Sequence, residues 1–160
     1  MFSFSVAFDK NRGIGICDRL PWHIKEELAL FRKNTINKNI IMGRKTYQNL
    51  PGKLKNRNIF IVTSDINYQQ EDCTIINDFT SFLNEHYNDD TEYIICGGSS
   101  IYKQSYPYCS KGYLSVVKGD YQVDSYFDNF NFDDFMIVFE KDYDQFVYRQ
   151  LKRISGKFSL

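Results

Sequence analysis

The chain has 160 residues, and its 20 Lys and Arg balance its 20 Asp and Glu, giving a formal net charge of zero. That length suits one domain with a sizeable core; the even charge argues against nucleic acid, and apolar runs of only a few residues argue against a membrane span. The four cysteines (Cys17, Cys73, Cys96, Cys109) form no C-x-x-C pair, and His23 and His86 are the only histidines, so no metal site or Cys–His nucleophile is expected.

From the N-terminus, Met1 to Val6 carries no charged leader and reads as the start of a strand rather than a signal peptide. Strands are expected at Phe2–Phe8, Asn39–Met42, Asn58–Thr63, Thr74–Ile76, Tyr93–Cys96, Gly112–Val117, Phe135–Lys141 and Phe146–Leu151. Helices are expected at Ile24–Lys33, Lys45–Leu50, Phe79–Glu85 and Ser99–Tyr106. Their alternation predicts an α/β fold with a mixed, mainly parallel sheet and helices on both faces. The last two strands, joined through Asp142-Tyr143-Asp144, predict a C-terminal antiparallel hairpin at one edge. No linker or repeat interrupts residues 1–160, which are expected to form a single domain. The thiols are expected to be reduced, as in cytosol.

The helix beginning near Ile24 holds the most informative residue. Ile24, Leu28 and Phe31 share one face, and Glu27 falls among them. A carboxylate aimed at an apolar surface is costly unless a cation or donor meets it. The bland alternative puts Glu27 on the solvent edge, paired with Lys25, Arg32 or Lys33.

Other patterns are weak singly. Gly97-Gly98 sits between a strand and a helix, where backbone can approach a ligand and helix N–H groups can meet an anion; alone it is only a tight turn. Gly43-Arg44-Lys45-Thr46 places two cations at a helix start, against the dipole, which makes sense if an anion lies between; Thr46 is a candidate cap. Arg57 is by itself an ordinary strand-flanking cation. The loop Asp9–Trp22 holds Gly13-Ile14-Gly15 but lacks the third glycine of a dinucleotide fingerprint.

Together, in order and spacing, Leu20-Pro21-Trp22, Glu27, Phe31, Ile40–Thr46, Arg57, Thr63-Ser64 and Ile94–Gly98 resemble the dihydrofolate reductase family in its short monofunctional form, from about Phe2 to about Phe127. The resemblance implies a dihydrofolate reductase-like fold and NADPH-dependent reduction of 7,8-dihydrofolate to tetrahydrofolate, supporting one-carbon metabolism and thymidylate synthesis. It implies catalytic roles for Glu27, Leu20 and Trp22. Val6, Ala7, Leu28, Phe31, Leu50, Leu54, Arg57, Cys96 and Ser115 would join Glu27 in binding substrate, Arg57 gripping the glutamate α-carboxylate and Ser115 hydrogen-bonding beside Glu27.

NADPH would meet Ala7, Ile14, Gly15, Leu20, Gly43, Arg44, Lys45, Thr46, Thr63, Ser64, Cys96, Gly97, Gly98, Ser99, Ser100, Ile101 and Tyr102. In the family the Gly-Gly bond is cis, and Arg44 with Ser64 would favour the 2′-phosphate of NADPH. Asp65, immediately after, would repel that phosphate. Asp124 matches a residue that holds the mobile loop from a second loop; the preceding Val123 stands where some relatives have Gly. The resemblance further implies a cytoplasmic monomer that binds antifolate inhibitors. A riboflavin-pathway pyrimidine reductase of the same superfamily and a non-catalytic nucleotide- or pterin-binding module are the rival readings. The carboxylate on the helix and Arg57 argue against the first, and the intact hydride-site set against the second.

Overall fold

An apolar strand, β1 (Phe2–Phe8), runs through the centre of the molecule, with its first four residues and Val6 and Phe8 buried. The computed structural model describes residues 1–15 and 20–154, so Cys17 and part of the loop after β1 lie outside the described residues. The elements that follow are β2 (Gly13–Gly15), α1 (Lys25–Thr35), β3 (Asn39–Gly43), α2 (Arg44–Gln48), β4 (Asn58–Val62), β5 (Cys73–Ile76), α3 (Phe79–His86), β6 (Tyr93–Ile95), α4 (Ser99–Ser105), β7 (Cys109–Val117), β8 (Ser125–Tyr126), β9 (Phe135–Asp142) and β10 (Phe146–Arg153).

Eight strands form one sheet in the order β5-β4-β3-β6-β1-β7-β10-β9. All neighbours from β5 to β7 are parallel, and β10 runs antiparallel to both β7 and β9. The expected mixed sheet with an antiparallel edge hairpin is therefore present. Alternation along β1 sends Phe2, Phe4, Val6 and Phe8 into a core with Phe79 and Leu83 of α3 and Ile101 and Tyr102 of α4. Ala7 points the other way, into a cluster with Trp22, Ile24, Leu30 and Tyr148 under α1. Ile40, Met42, Ile59, Ile61 and Ile94 extend that face under Tyr47 of α2. Helices cover both faces, and among the described residues none is long and apolar enough to cross a membrane.

Beyond small shifts in element ends, three local outcomes differ from the sequence expectation. A small ribbon, β2 with β8, was not foreseen, because three- and two-residue strands show no alternation to read. β7 begins three residues before Gly112, at Cys109, after a 3₁₀ turn over Tyr106–Tyr108. α2 begins at Arg44, so its N-cap is Gly43, no side chain caps it, and Thr46 lies inside the helix.

The edge strand β9 is only lightly covered. Met136, Ile137, Val138 and Phe139 are each about half exposed, and its register with β10 slips opposite Gln150 and Leu151.

Candidate active site

Parallel strands deliver their C-terminal ends to one side of the sheet, and there the connecting loops form a crevice. β1 ends at Ala7 and Phe8, β3 at Gly43, β4 before Thr63-Ser64, and β6 before Cys96-Gly97-Gly98. α1 forms the wall facing these loops. Ala7 lies in register with Ser115 of β7, so both side chains face α1. Val6 packs into the opposite core, leaving its backbone as the part nearest this face.

Glu27 occupies the first turn of α1, where the helix dipole favours an anion. Desolvation outweighs that help: burial pushes the Glu27 carboxyl up from 4.5 to about 7. No cation or donor meets it among the described residues, and the solvent-edge alternative with Lys25, Arg32 or Lys33 is absent. Nor does the Ser115 hydroxyl, itself buried, bond to it. Trp22 is buried edge-on against Tyr121, ring centres 5.1 Å apart, and its indole Nε1 is buried without a partner among the described residues. Leu20 is half exposed.

Further along α1, Leu28 is 39% exposed and Phe31 half-buried. The expected Ile24–Leu28–Phe31 face is thus divided: Ile24 is core, with Leu30 packed against it, while Leu28 and Phe31 keep apolar surface uncovered. Leu50 and Leu54 are half-buried on the same side of the sheet, packed on the β3–β4 core. Arg57 follows Leu54. Its Nε donates to Thr35 Oγ1 at 3.2 Å and its Nη1 to the Lys55 carbonyl at 2.7 Å. Desolvation, then neighbouring Arg32, lowers its pKa, and it forms no ion pair among the described residues.

At the other end, the Gly97–Gly98 peptide is cis, with Gly97 at φ +109°, the left-handed region open to glycine. A side chain on Gly97 would touch the Tyr102 ring, and one on Gly98 would lie 3.1 Å from Thr46 Oγ1. The Gly43 N–H donates to the Gly97 carbonyl at 2.9 Å, which ties the two glycine turns together, and Ile101 packs against Gly43. Ser99 Oγ donates to the Tyr126 carbonyl at 2.6 Å, and Ser100 Oγ accepts from Gln104 at 2.8 Å. Thr63 is buried and Ser64 exposed; Lys45 is exposed, and Arg44 approaches Asp65 at 3.5 Å. Cys96 is a neutral thiol, pushed up to about 12 by burial.

Over the crevice, Ile14 packs on the core, and the ribbon is closed by Asp124 N–H donating to the Gly15 carbonyl at 2.8 Å. A cavity of about 600 Å³ lies elsewhere, between α1, β7, β9 and β10, and none of the expected site residues lines it. The candidate site is an open cleft. Sequence reasoning missed Thr35, which braces Arg57, and Tyr121, which braces Trp22; both contacts join distant segments, and no local pattern announces them.

A sequence model described as dihydrofolate reductase matches residues 1–153. The chain is 38% identical over 118 residues to the dihydrofolate reductase of Mycoplasma genitalium, covering 71% of this chain and 74% of that one. It is 33% identical over 138 residues to the Bacillus subtilis enzyme of the same name, covering 86% and 82%. A solved structure of Enterococcus faecalis dihydrofolate reductase, complexed with NADP(H) and RAB-propyl, shares the fold at a TM-score of 0.85, covering 96% of each chain at 24% identity. By the length of the sequence match and the agreement of the fold, this chain belongs to the dihydrofolate reductase family.

Proposed function

We propose that the chain reduces 7,8-dihydrofolate to 5,6,7,8-tetrahydrofolate with NADPH. One observation carries the reading: among the described residues, the half-buried Glu27 carboxylate at one end of an apolar cleft has no partner, and the Arg57 guanidinium beyond the other has no counter-anion. A ligand that fits has paired N–H donors, an aromatic middle and a carboxylate tail. Dihydrofolate has that order of groups. Glu27 binds the pterin N3–H and 2-amino group and stabilises the protonated ring. Leu28, Phe31, Leu50 and Leu54 hold the aminobenzoyl ring, and Arg57 takes the α-carboxylate in a planar two-point contact. Trp22, whose indole N–H has no partner among the described residues, and Leu20 shield the reacting edge and hold the water that relays a proton.

NADPH, when bound, supplies the hydride. The chain's residues fit that cofactor: Gly97 and Gly98 let the backbone approach closely, and Arg44, Thr63 and Ser64 surround the 2′-phosphate position. A riboflavin-pathway reductase would have no use for Glu27 facing a pterin or Arg57 facing a glutamate. The free thiols of Cys73, Cys96 and Cys109 suit the reducing cytoplasm. Antifolates that mimic the pterin would meet the same Glu27. The deciding experiment follows absorbance at 340 nm: NADPH is consumed only when dihydrofolate is added. No consumption by folded protein would end the proposal.

A further inference from the structure

Resting on the placement of the 2′-phosphate beside Arg44, we infer that Asp65 is a specificity-determining residue that opposes this phosphate and keeps discrimination between NADPH and NADH low. Arg44 Nη1 and Asp65 Oδ2 lie 3.5 Å apart, with side chains 37% and 48% exposed. That separation is longer than the roughly 2.7–2.9 Å of a charge-assisted bond, so Asp65 does not clamp Arg44 in one geometry. Arg44 instead leans over the Tyr68 ring, its guanidinium carbon 5.5 Å from the ring centre.

Asp65, by contrast, is fixed. Its Oδ1 accepts from the Asn67 N–H at 3.0 Å, and its own N–H donates to Thr63 Oγ1 at 3.2 Å. Asn77 Nδ2 donates to the carbonyls of both Thr63 and Asp65, at 2.8 and 3.2 Å. The carboxylate stays beside an arriving anion, because Asn67 holds it on the same turn that carries Thr63 and Ser64. A phosphate reaching Arg44 meets a guanidinium already balanced by Asp65, and a fixed like charge beside it. Lys45 remains as the uncompensated cation of the Gly43–Thr46 turn among the described residues. NADH brings no charge to this spot and feels neither effect.

Asp65→Asn tests the inference with the fold preserved, since the amide oxygen still accepts from Asn67. Calorimetric titration compares adenosine 2′,5′-bisphosphate with adenosine 5′-monophosphate, which differ only in the 2′-phosphate. The ratio of their affinities should rise about two- to fivefold in the variant, the range of a single exposed charge pair, with the monophosphate unchanged. Fluorescence titrations should show NADPH binding tightened and NADH binding unaltered. A ratio that stays constant or falls would overturn the inference, because Asp65 would then be neutral or would orient Arg44. Arg44→Ala separates this failure from that of the underlying reading. It should bring the ratio close to one; a ratio untouched by Arg44→Ala removes the 2′-phosphate from this corner altogether, and Asp65's role with it.

Discussion

The hydroxyl of Tyr102 on α4 donates a 2.7 Å hydrogen bond to the carbonyl of Ser5 on β1, tying the helix behind the glycine turn to the central strand of the sheet. Both residues are buried, and the Tyr102 ring also stacks on Phe127, centres 4.8 Å apart. Tyr102→Phe keeps the ring and its packing but withdraws the donor from a buried carbonyl. The expected loss is about 1 kcal/mol, or roughly 2–4 °C in melting temperature for a chain of this size. Thermal unfolding followed by circular dichroism measures it, and an unchanged transition would show that the bond contributes nothing.

Glu27→Gln separates catalysis from stability. In the wild type, burial raises the Glu27 carboxyl from 4.5 to about 7, so between those values the folded state holds a proton that the unfolded chain releases. Stability from this group is complete below about pH 4.5 and is lost as pH rises through about 7. The amide carries no such dependence. The variant should melt like the wild type in mild acid and be more stable at pH 8, by on the order of 1–3 kcal/mol. Its hydride transfer should fall steeply at neutral pH and recover in part as pH drops and substrate arrives protonated. Wild-type rates across the range would remove Glu27 from the mechanism.

Arg57→Ala should weaken dihydrofolate binding by about 1.5–3 kcal/mol, the range for hydrogen bonds to a charged group. Pterins lacking the glutamate should bind as before. Titrating both ligands decides the matter: equal weakening of the two would mean that Arg57, bonded to Thr35 and Lys55, serves the fold instead of the tail.

Gly13 is hemmed in by Val123, whose Cγ2 lies 2.5 Å from where a side chain on Gly13 would begin. Gly13→Ala should push β2 away from β8 and loosen the loop over the cleft, costing about 1–3 kcal/mol locally. The expected readout is a raised KM for NADPH with a smaller change in melting temperature. Adding Val123→Ala should restore KM; without that rescue, the contact is not what closes the ribbon.

Strands and helices were legible wherever their hydrophobic period ran for several residues. β1 matches its expected span, and α3 differs by one residue at its end. α1 was placed a residue early because Ile24, apolar and on the helix's face, proves to be the N-cap. The unusual place of Glu27 could be read because a charge interrupts an apolar stripe within one helix. What joins distant segments was not visible in local spacing: Arg57 to Thr35, 22 residues apart, leaves no trace there, and Asp65 was placed near Arg44 only through the resemblance. The half exposure of Leu28 and Phe31 was hidden too, since periodicity identifies an apolar face without saying whether protein or ligand covers it.

The two rims of the large sheet are unequal in their exposure to stray strands. β5 has only four residues, whereas β9 offers eight, with Met136 through Phe139 in a row about half exposed. An open apolar edge of that length is a template for intermolecular strand addition, so crowding and slow refolding should find the chain's weak point here. The register slip against β10 and the charged end at Glu140, Lys141 and Asp142 act as its gatekeepers. Val138→Lys would add a further charge three strands away from β1 and the cleft, so it should raise the concentration at which the protein stays in solution while leaving turnover as it was.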